Sequence, residues 1–133
     1  MMGTRALVAD DDTEMLSMVT KALRQFGAEV VAVMAGGELL EKIANDGPFD
    51  VIVTDIAMPW MTGLQVMQSA RTAGLPVPVV VMTALRDPTL PEQVASLGAR
   101  AELLQKPFSI DELFAALRRC LAETADGDEP MRR

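Results

Sequence analysis

The chain has no histidine and no tyrosine, and only one cysteine and one tryptophan in 133 residues. Without histidine there is no Ser-His nucleophile pair, no imidazole metal ligand and no phosphohistidine of the chain's own. Any histidine in its chemistry must belong to a partner. A single thiol, Cys120, rules out an internal disulfide, and nothing points to an oxidising compartment. Long hydrophobic runs are missing too. The longest apolar stretch, Leu75–Leu85, is too short to span a bilayer and contains Pro76 and Pro78. The opening Met-Met-Gly-Thr-Arg lacks the apolar core of a secretion signal. Basic residues are few and scattered: 12 Lys and Arg stand against 19 Asp and Glu, for a net charge of −7. That balance argues against direct nucleic-acid binding. These absences lead us to expect a soluble, cytoplasmic protein with no membrane association.

Half of the residues are apolar, and the length suits one domain with a core of its own. Short β-favouring runs alternate with helical periodicities. Arg5–Ala9 reads as a buried strand. Leu16, Val19, Leu23 and Phe26 then recur at helical spacing, and Gly27 ends that helix. Glu29–Val33 is a second strand, and Gly36–Asn45 a helix broken by Gly47-Pro48. Val51–Thr54 is a third strand, continuous enough to be covered on both faces. After the loop Met58–Gly63 comes a helix carrying Leu64 and Met67, with Thr62 and Gln65 placed for a capping box. Val77–Thr83 is a fourth strand. Thr89 and Glu92 have capping-box spacing before a short helix ending at Gly98. Ala101–Gln105 is a fifth strand. Ser109 and Glu112 form a third capping box before a last helix with Ile110, Leu113, Phe114, Leu117 and Leu121 on its apolar stripe. The domain spans residues 1–122, and 123–133 is a polar tail. Strict alternation with right-handed crossovers implies an α/β fold, a parallel sheet with helices on both faces.

Chemistry gathers where strands end. Asp10, Asp11 and Asp12 follow the first strand, Asp55 the third, Thr83 ends the fourth, and Lys106 follows the fifth. The carboxyl ends of parallel strands form the binding crevice of an open α/β sheet. Three successive carboxylates repel one another unless something compensates them. A lone triplet is best read as a cap for the helix that follows. With Asp55 on a neighbouring strand, a hard cation such as Mg²⁺ becomes the better reading. A carboxylate can also attack phosphorus to give an acyl phosphate. A hydroxyl and an ammonium beside it would then meet the phosphoryl oxygens. Taken singly, Thr83 is a β-branched strand residue and Lys106 a solvated strand end; their value lies in convergence.

Together these stretches resemble the receiver domain of two-component response regulators. The matching segments are Leu7–Asp12, Val51–Pro59 with Gly63, Val80–Ala84 and Lys106-Pro107-Phe108, and the likeness runs from Arg5 to Leu121. It implies a flavodoxin-like, doubly wound, five-stranded parallel sheet in the order 2-1-3-4-5 with five helices. It implies that Asp55 accepts a phosphoryl group from a phosphohistidine on a histidine kinase or phosphotransfer protein. Asp11, Asp55 and the backbone carbonyl of Ala57 would bind Mg²⁺, with Asp10 acting through water. Lys106 and Thr83 would contact phosphoryl oxygens, leaving Asp12 as a cap. A register slip that makes Asp11 and Asp12 the acidic pair is the alternative. The output would be altered binding of a downstream protein through the fourth helix, fifth strand and fifth helix, or a phosphorylation-dependent dimer.

The chain departs from the family pattern in places. Leu103 stands where the family has an aromatic residue three positions before the lysine, so the family's coupled threonine–aromatic movement is in doubt. The segment Gly98–Lys106 is also one residue longer than usual. Ala57 and Leu85 are apolar where the family tends to place polar residues near attacking water, so slow self-dephosphorylation is expected. Trp60 reads as a partly exposed loop aromatic, the ten methionines as core filler with Met58 and Met61 candidates for a partner surface, and Cys120 as packing. The leading expectation is a stand-alone signalling switch rather than an enzyme. Its competitors are a phosphorylation-independent scaffold, the receiver part of a transcription regulator, and a phosphatase-like enzyme. The last ranks lowest because Ala57, two residues after the candidate nucleophile, is not an acid.

Overall fold

A computed structural model describes residues 3–98 and 100–128, with side chains described as far as residue 121. Its strands are β1 (Arg5–Ala9), β2 (Glu29–Val33), β3 (Val51–Asp55), β4 (Val79–Thr83) and β5 (Ala101–Gln105). Its helices are α1 (Thr13–Gln25), α2 (Gly36–Asn45), α3 (Gly63–Thr72), α4 (Leu90–Ala95) and α5 (Ile110–Asp128). All pairings are parallel, and the sheet order is β2-β1-β3-β4-β5. The fold expected from the sequence is therefore the fold observed.

The central strands explain the continuous apolar runs. Every residue of β3 and β4 is buried, because helices cover both faces of the sheet. On one face Leu7, Ile52, Val79 and Val81 pack against Leu39 of α2, Val66 and Met67 of α3, and Leu90 and Val94 of α4. On the other, Val8, Val53, Val80 and Met82 meet Val19 and Leu23 of α1 and Leu113, Leu117 and Cys120 of α5. Burial of each such side chain stabilises by about 1.5–3 kcal/mol. The strand ends are thereby held rigidly in register, and the site is built on those ends.

Local chemistry sets the element boundaries. Asp12 caps α1, its Oδ1 accepting from Glu14 N at 3.0 Å and Met15 N at 3.4 Å. Gly27, at φ 96°, takes the left-handed turn that closes the same helix. Thr62 with Gln65 and Ser109 with Glu112 form the expected reciprocal capping boxes.

Three boundary details differ from the sequence reading. First, β4 begins at Val79 rather than Val77, because Pro76 and Pro78 have no N–H to give the ladder; Pro78 still offers its carbonyl to Ile52 N at 2.9 Å. Second, Thr89 caps nothing. Its backbone is already helical, and its hydroxyl is committed to Asp87 and Gln93. Third, α5 continues to Asp128, into the segment read as a polar tail; residues 129–133 lie outside the described residues.

Candidate functional site

The carboxyl ends of β1, β3, β4 and β5 bring the chemistry-bearing residues together. Asp10 extends the ladder past β1, its N–H donating to Val33 O at 3.2 Å, and the residue is 0% exposed. Its Oδ1 accepts from Asp12 N at 2.9 Å and its Oδ2 from Lys106 Nζ at 2.9 Å. Asp55 closes β3, and its Oδ1 lies 3.3 Å from the same ammonium. Asp11, exposed beside them, completes a group in which each residue offers one carboxylate oxygen, the three lying within 4.8 Å of one another. Asp12 turns away to cap α1, so the slipped pairing of Asp11 with Asp12 is not what the fold produces.

The electrostatics are unbalanced. Three carboxylates face one ammonium, which leaves two negative charges uncompensated. Burial pushes the Asp55 carboxyl above its usual range, and the charge of Asp10 pushes it further; Lys106 offsets only part of this. Burial alone would pull Lys106 down, but its hydrogen bond to Asp10 and the charges of Asp55 and Asp10 carry it above the ordinary lysine value. Clustered oxygen donors with a double negative excess fit a hard divalent cation.

Close backbone contact shapes the rim. A Cβ on Gly63 would sit 2.1 Å from Asp55 O and 2.8 Å from Thr54 Oγ1, so only glycine lets α3 start directly against the end of β3. Gly63 N donates to Ile56 O at 3.1 Å and closes the loop. In that loop Trp60, at φ 70°, is 95% exposed, more fully than the partial exposure read from sequence. Met58 is buried in the core and so offers none of the partner surface considered from sequence, whereas Met61 is half-buried, packing on the core while lining a surface cleft with Trp60 and Gln65. Ala57, Ala84 and Leu85 are exposed at the mouth of the site.

Thr83 ends β4 at 1% exposure. Its Oγ1 accepts from Leu85 N at 2.9 Å, and among the described residues its own hydroxyl hydrogen has no acceptor. Leu103, paired with Val81, is partly buried in the α2–α3–α4 face of the core. The sequence reading missed Gln105. Its Nε2 donates to Thr83 O at 2.9 Å and to Leu85 O at 3.2 Å, while Lys106 N donates to Thr83 O at 2.7 Å. The signal was a polar residue at a strand end in the same strand-face period as Leu103. The Lys106–Pro107 peptide is cis. A separate cavity of about 260 Å³, lined by Ile43, Phe49, Leu75 and Arg100, opens at the other end of the strands and takes no part in this site.

A family model for the response regulator receiver domain matches residues 6–118. The chain belongs to the response regulator receiver family. This receiver is 38% identical over 130 residues to response regulator MprA of Mycobacterium sp. strain KMS, covering 97% of the chain and 55% of that relative. It thus spans about half the length of the curated relatives it matches. The chemotaxis response regulator CheY4 of Vibrio cholerae superposes with a TM-score of 0.80 at 31% identity, covering 91% of this chain and 100% of that one. The receiver domain of Francisella response regulator 1452 gives a TM-score of 0.82 at 29% identity, covering 92% and 99%. Receivers are signalling switches of two-component systems rather than conventional enzymes, and they bind Mg²⁺ at an acidic aspartate cluster. Asp10, Asp11 and Asp55 form such a cluster here.

Proposed function

We propose that this receiver is a phosphorylation-dependent switch, working in the cytoplasm, in which Asp55 is the phosphoacceptor. The observation that carries this is the convergence of Asp10, Asp11, Asp55 and Lys106 on one point at the strand ends. The donor is a phosphohistidine of a histidine kinase or phosphotransfer protein, since the chain has no histidine to supply. A carboxylate oxygen of Asp55 attacks phosphorus and an O–P bond forms. The N–P bond breaks, and the departing imidazole keeps the electron pair and takes up a proton. The ammonium of Lys106 and the free hydroxyl hydrogen of Thr83 bind phosphoryl oxygens, fixed charge and dipole where negative charge accumulates. Asp11, Asp55 and the Ala57 carbonyl would hold Mg²⁺, with Asp10 acting through an intervening water. Bound there, Mg²⁺ offsets the excess negative charge of the carboxylates and the incoming phosphoryl oxygens.

Phosphorylation then biases two conformations of the loops around the site. The readout is altered protein binding on the face formed by α4, β5 and α5, self-association being one form it takes. Ala57 and Leu85 at the mouth leave no polar side chain there to orient attacking water, which favours a long-lived acyl phosphate. A second reading, the receiver part of a longer transcription regulator, is favoured by the 55% coverage of the MprA relatives. A scaffold that has abandoned phosphorylation has no physical need for three clustered acids around one lysine.

The test is intact-protein mass after incubation with a small-molecule phosphodonor, with and without Mg²⁺, beside Asp55→Asn. One added phosphoryl group that requires both Mg²⁺ and Asp55 supports the switch. No adduct, together with no transfer from any phosphorylated histidine protein, favours the scaffold.

A further inference from the structure

We infer that Gln105 is a positioning residue of the phosphoryl site: its carboxamide fixes the turn that aims the Thr83 hydroxyl. The inference rests on the proposed function of Asp55. A neutral carboxamide has two N–H donors and one acceptor oxygen. The end of Gln105 that meets the turn touches only carbonyl oxygens, Thr83 O and Leu85 O, so the nitrogen must face them. Both Gln105 and the main chain of Lys106 donate to Thr83 O. With both lone pairs engaged, that carbonyl cannot swing without losing two bonds.

The second carbonyl, Leu85 O, belongs to the residue whose N–H donates to Thr83 Oγ1 at 2.9 Å. Gln105 thus holds both ends of the Thr83–Leu85 turn. The hydroxyl accepts from inside the turn, and its hydrogen is left over at 1% exposure with no protein acceptor among the described residues. Such a donor is pre-oriented for an oxygen arriving at Asp55, and pre-orientation is what electrostatic stabilisation requires. Gln105 sits on the edge strand β5 beside Lys106, so one residue ties the hydroxyl donor to the strand that leads into the ammonium.

The experiment measures Mg²⁺-dependent binding of beryllium fluoride, an acyl-phosphate mimic, by fluorine NMR. Gln105→Met keeps the length and removes both donors; it should weaken binding by about three- to tenfold. Thr83→Ala should weaken it comparably, and in that background Gln105→Met should cost less than about twofold more. Gln105→Arg, whose fork of N–H groups can again reach two carbonyls, should bind within about threefold of the parent. In protein without Mg²⁺, Gln105→Met should speed hydrogen exchange of the Leu85 amide by about tenfold and leave Val53 unchanged. Unaltered binding by Gln105→Met, or a full loss that persists beside Thr83→Ala, overturns the inference while leaving the Asp55 switch standing. Parent protein that binds beryllium fluoride equally well after Asp55→Asn overturns the switch, and the inference with it.

Discussion

Lys106 and Asp10 are 96 residues apart in sequence, yet Nζ of one lies 2.9 Å from Oδ2 of the other, and Asp10 has no exposure at all. A buried carboxylate is tolerable only when paired, and this pair links the first strand of the sheet to the last. The same ammonium reaches Asp55 at 3.3 Å. The geometry of the pocket is therefore set before any phosphoryl group arrives.

Lys106→Met should be costly. It leaves Asp10 and Asp55 buried without a counter-charge, a loss of about 2–4 kcal/mol at neutral pH by urea denaturation without metal. The pKa of Lys106 is raised above 10.5, so its contribution is fully present below that value and fades only as pH climbs through the raised one. Mg²⁺ should restore part of the loss. A variant within about 0.5 kcal/mol of the parent would show that the pair does not hold the site together.

Asp55→Asn should stabilise the metal-free protein. Burial and the neighbouring Asp10 raise the Asp55 pKa above 3.8, so the folded chain binds that proton more tightly than the unfolded chain does. Stability is then lost as pH rises from 3.8 through the raised pKa, and the full penalty is present at neutral pH. The amide carries no such penalty. A gain of about 1 kcal/mol, a few degrees in Tm, is expected at pH 7, shrinking on acidification. Mg²⁺ should raise the Tm of the parent and not that of the variant. An advantage that grew as pH fell would contradict the assigned electrostatics.

Gly63→Ala places a Cβ 2.1 Å from the Asp55 carbonyl, a backbone atom that cannot step aside. Destabilisation by about 2 kcal/mol or more is expected, along with slower phosphorylation. Gly37→Ala is the internal comparison: its Cβ meets nothing within 4 Å, and it lies inside α2, so it should stabilise by up to about 1 kcal/mol. Equal effects at the two glycines would rule out close approach at Asp55 as the reason for Gly63.

Most of the fold could be read from the order of elements. The apolar runs of β1, β3 and β4 mark strand ends because a strand buried on both faces has no alternation to blur it, whereas β5 is a half-buried edge strand that carries Glu102 and Gln105. The acidic cluster was legible for the same reason: topology alone brings those ends together. What failed was local. Thr89 has capping-box spacing, but its hydroxyl is taken by Asp87 and Gln93, competition that spacing cannot show. Met58, whose neighbours in the loop left a partner surface open as the alternative to core filler, is core filler. Gln105 was passed over because a polar residue at a strand end does not disclose its partners, and these, Thr83 and Leu85, lie 22 and 20 residues away across a strand pair.

The lifetime of the acyl phosphate offers a further check. The side chains of Ala57 and Leu85 present no polar atoms at the mouth of the site. Ala57→Asn or Leu85→Gln should therefore shorten the half-life of the phosphorylated protein by roughly tenfold, followed as loss of the mass adduct at pH 7. Half-lives unchanged by both would place control of hydrolysis elsewhere.

The most direct measurement traps the acyl phosphate chemically. Phosphorylated protein is reduced with borohydride, which converts an aspartyl phosphate to homoserine, then digested and sequenced by tandem mass spectrometry. The expected result is homoserine at position 55 and at no other aspartate, with none formed when Mg²⁺ is withheld. Homoserine at Asp10 or Asp11, or phosphorylation that survives Asp55→Asn, would contradict the assignment of Asp55 as the phosphoacceptor.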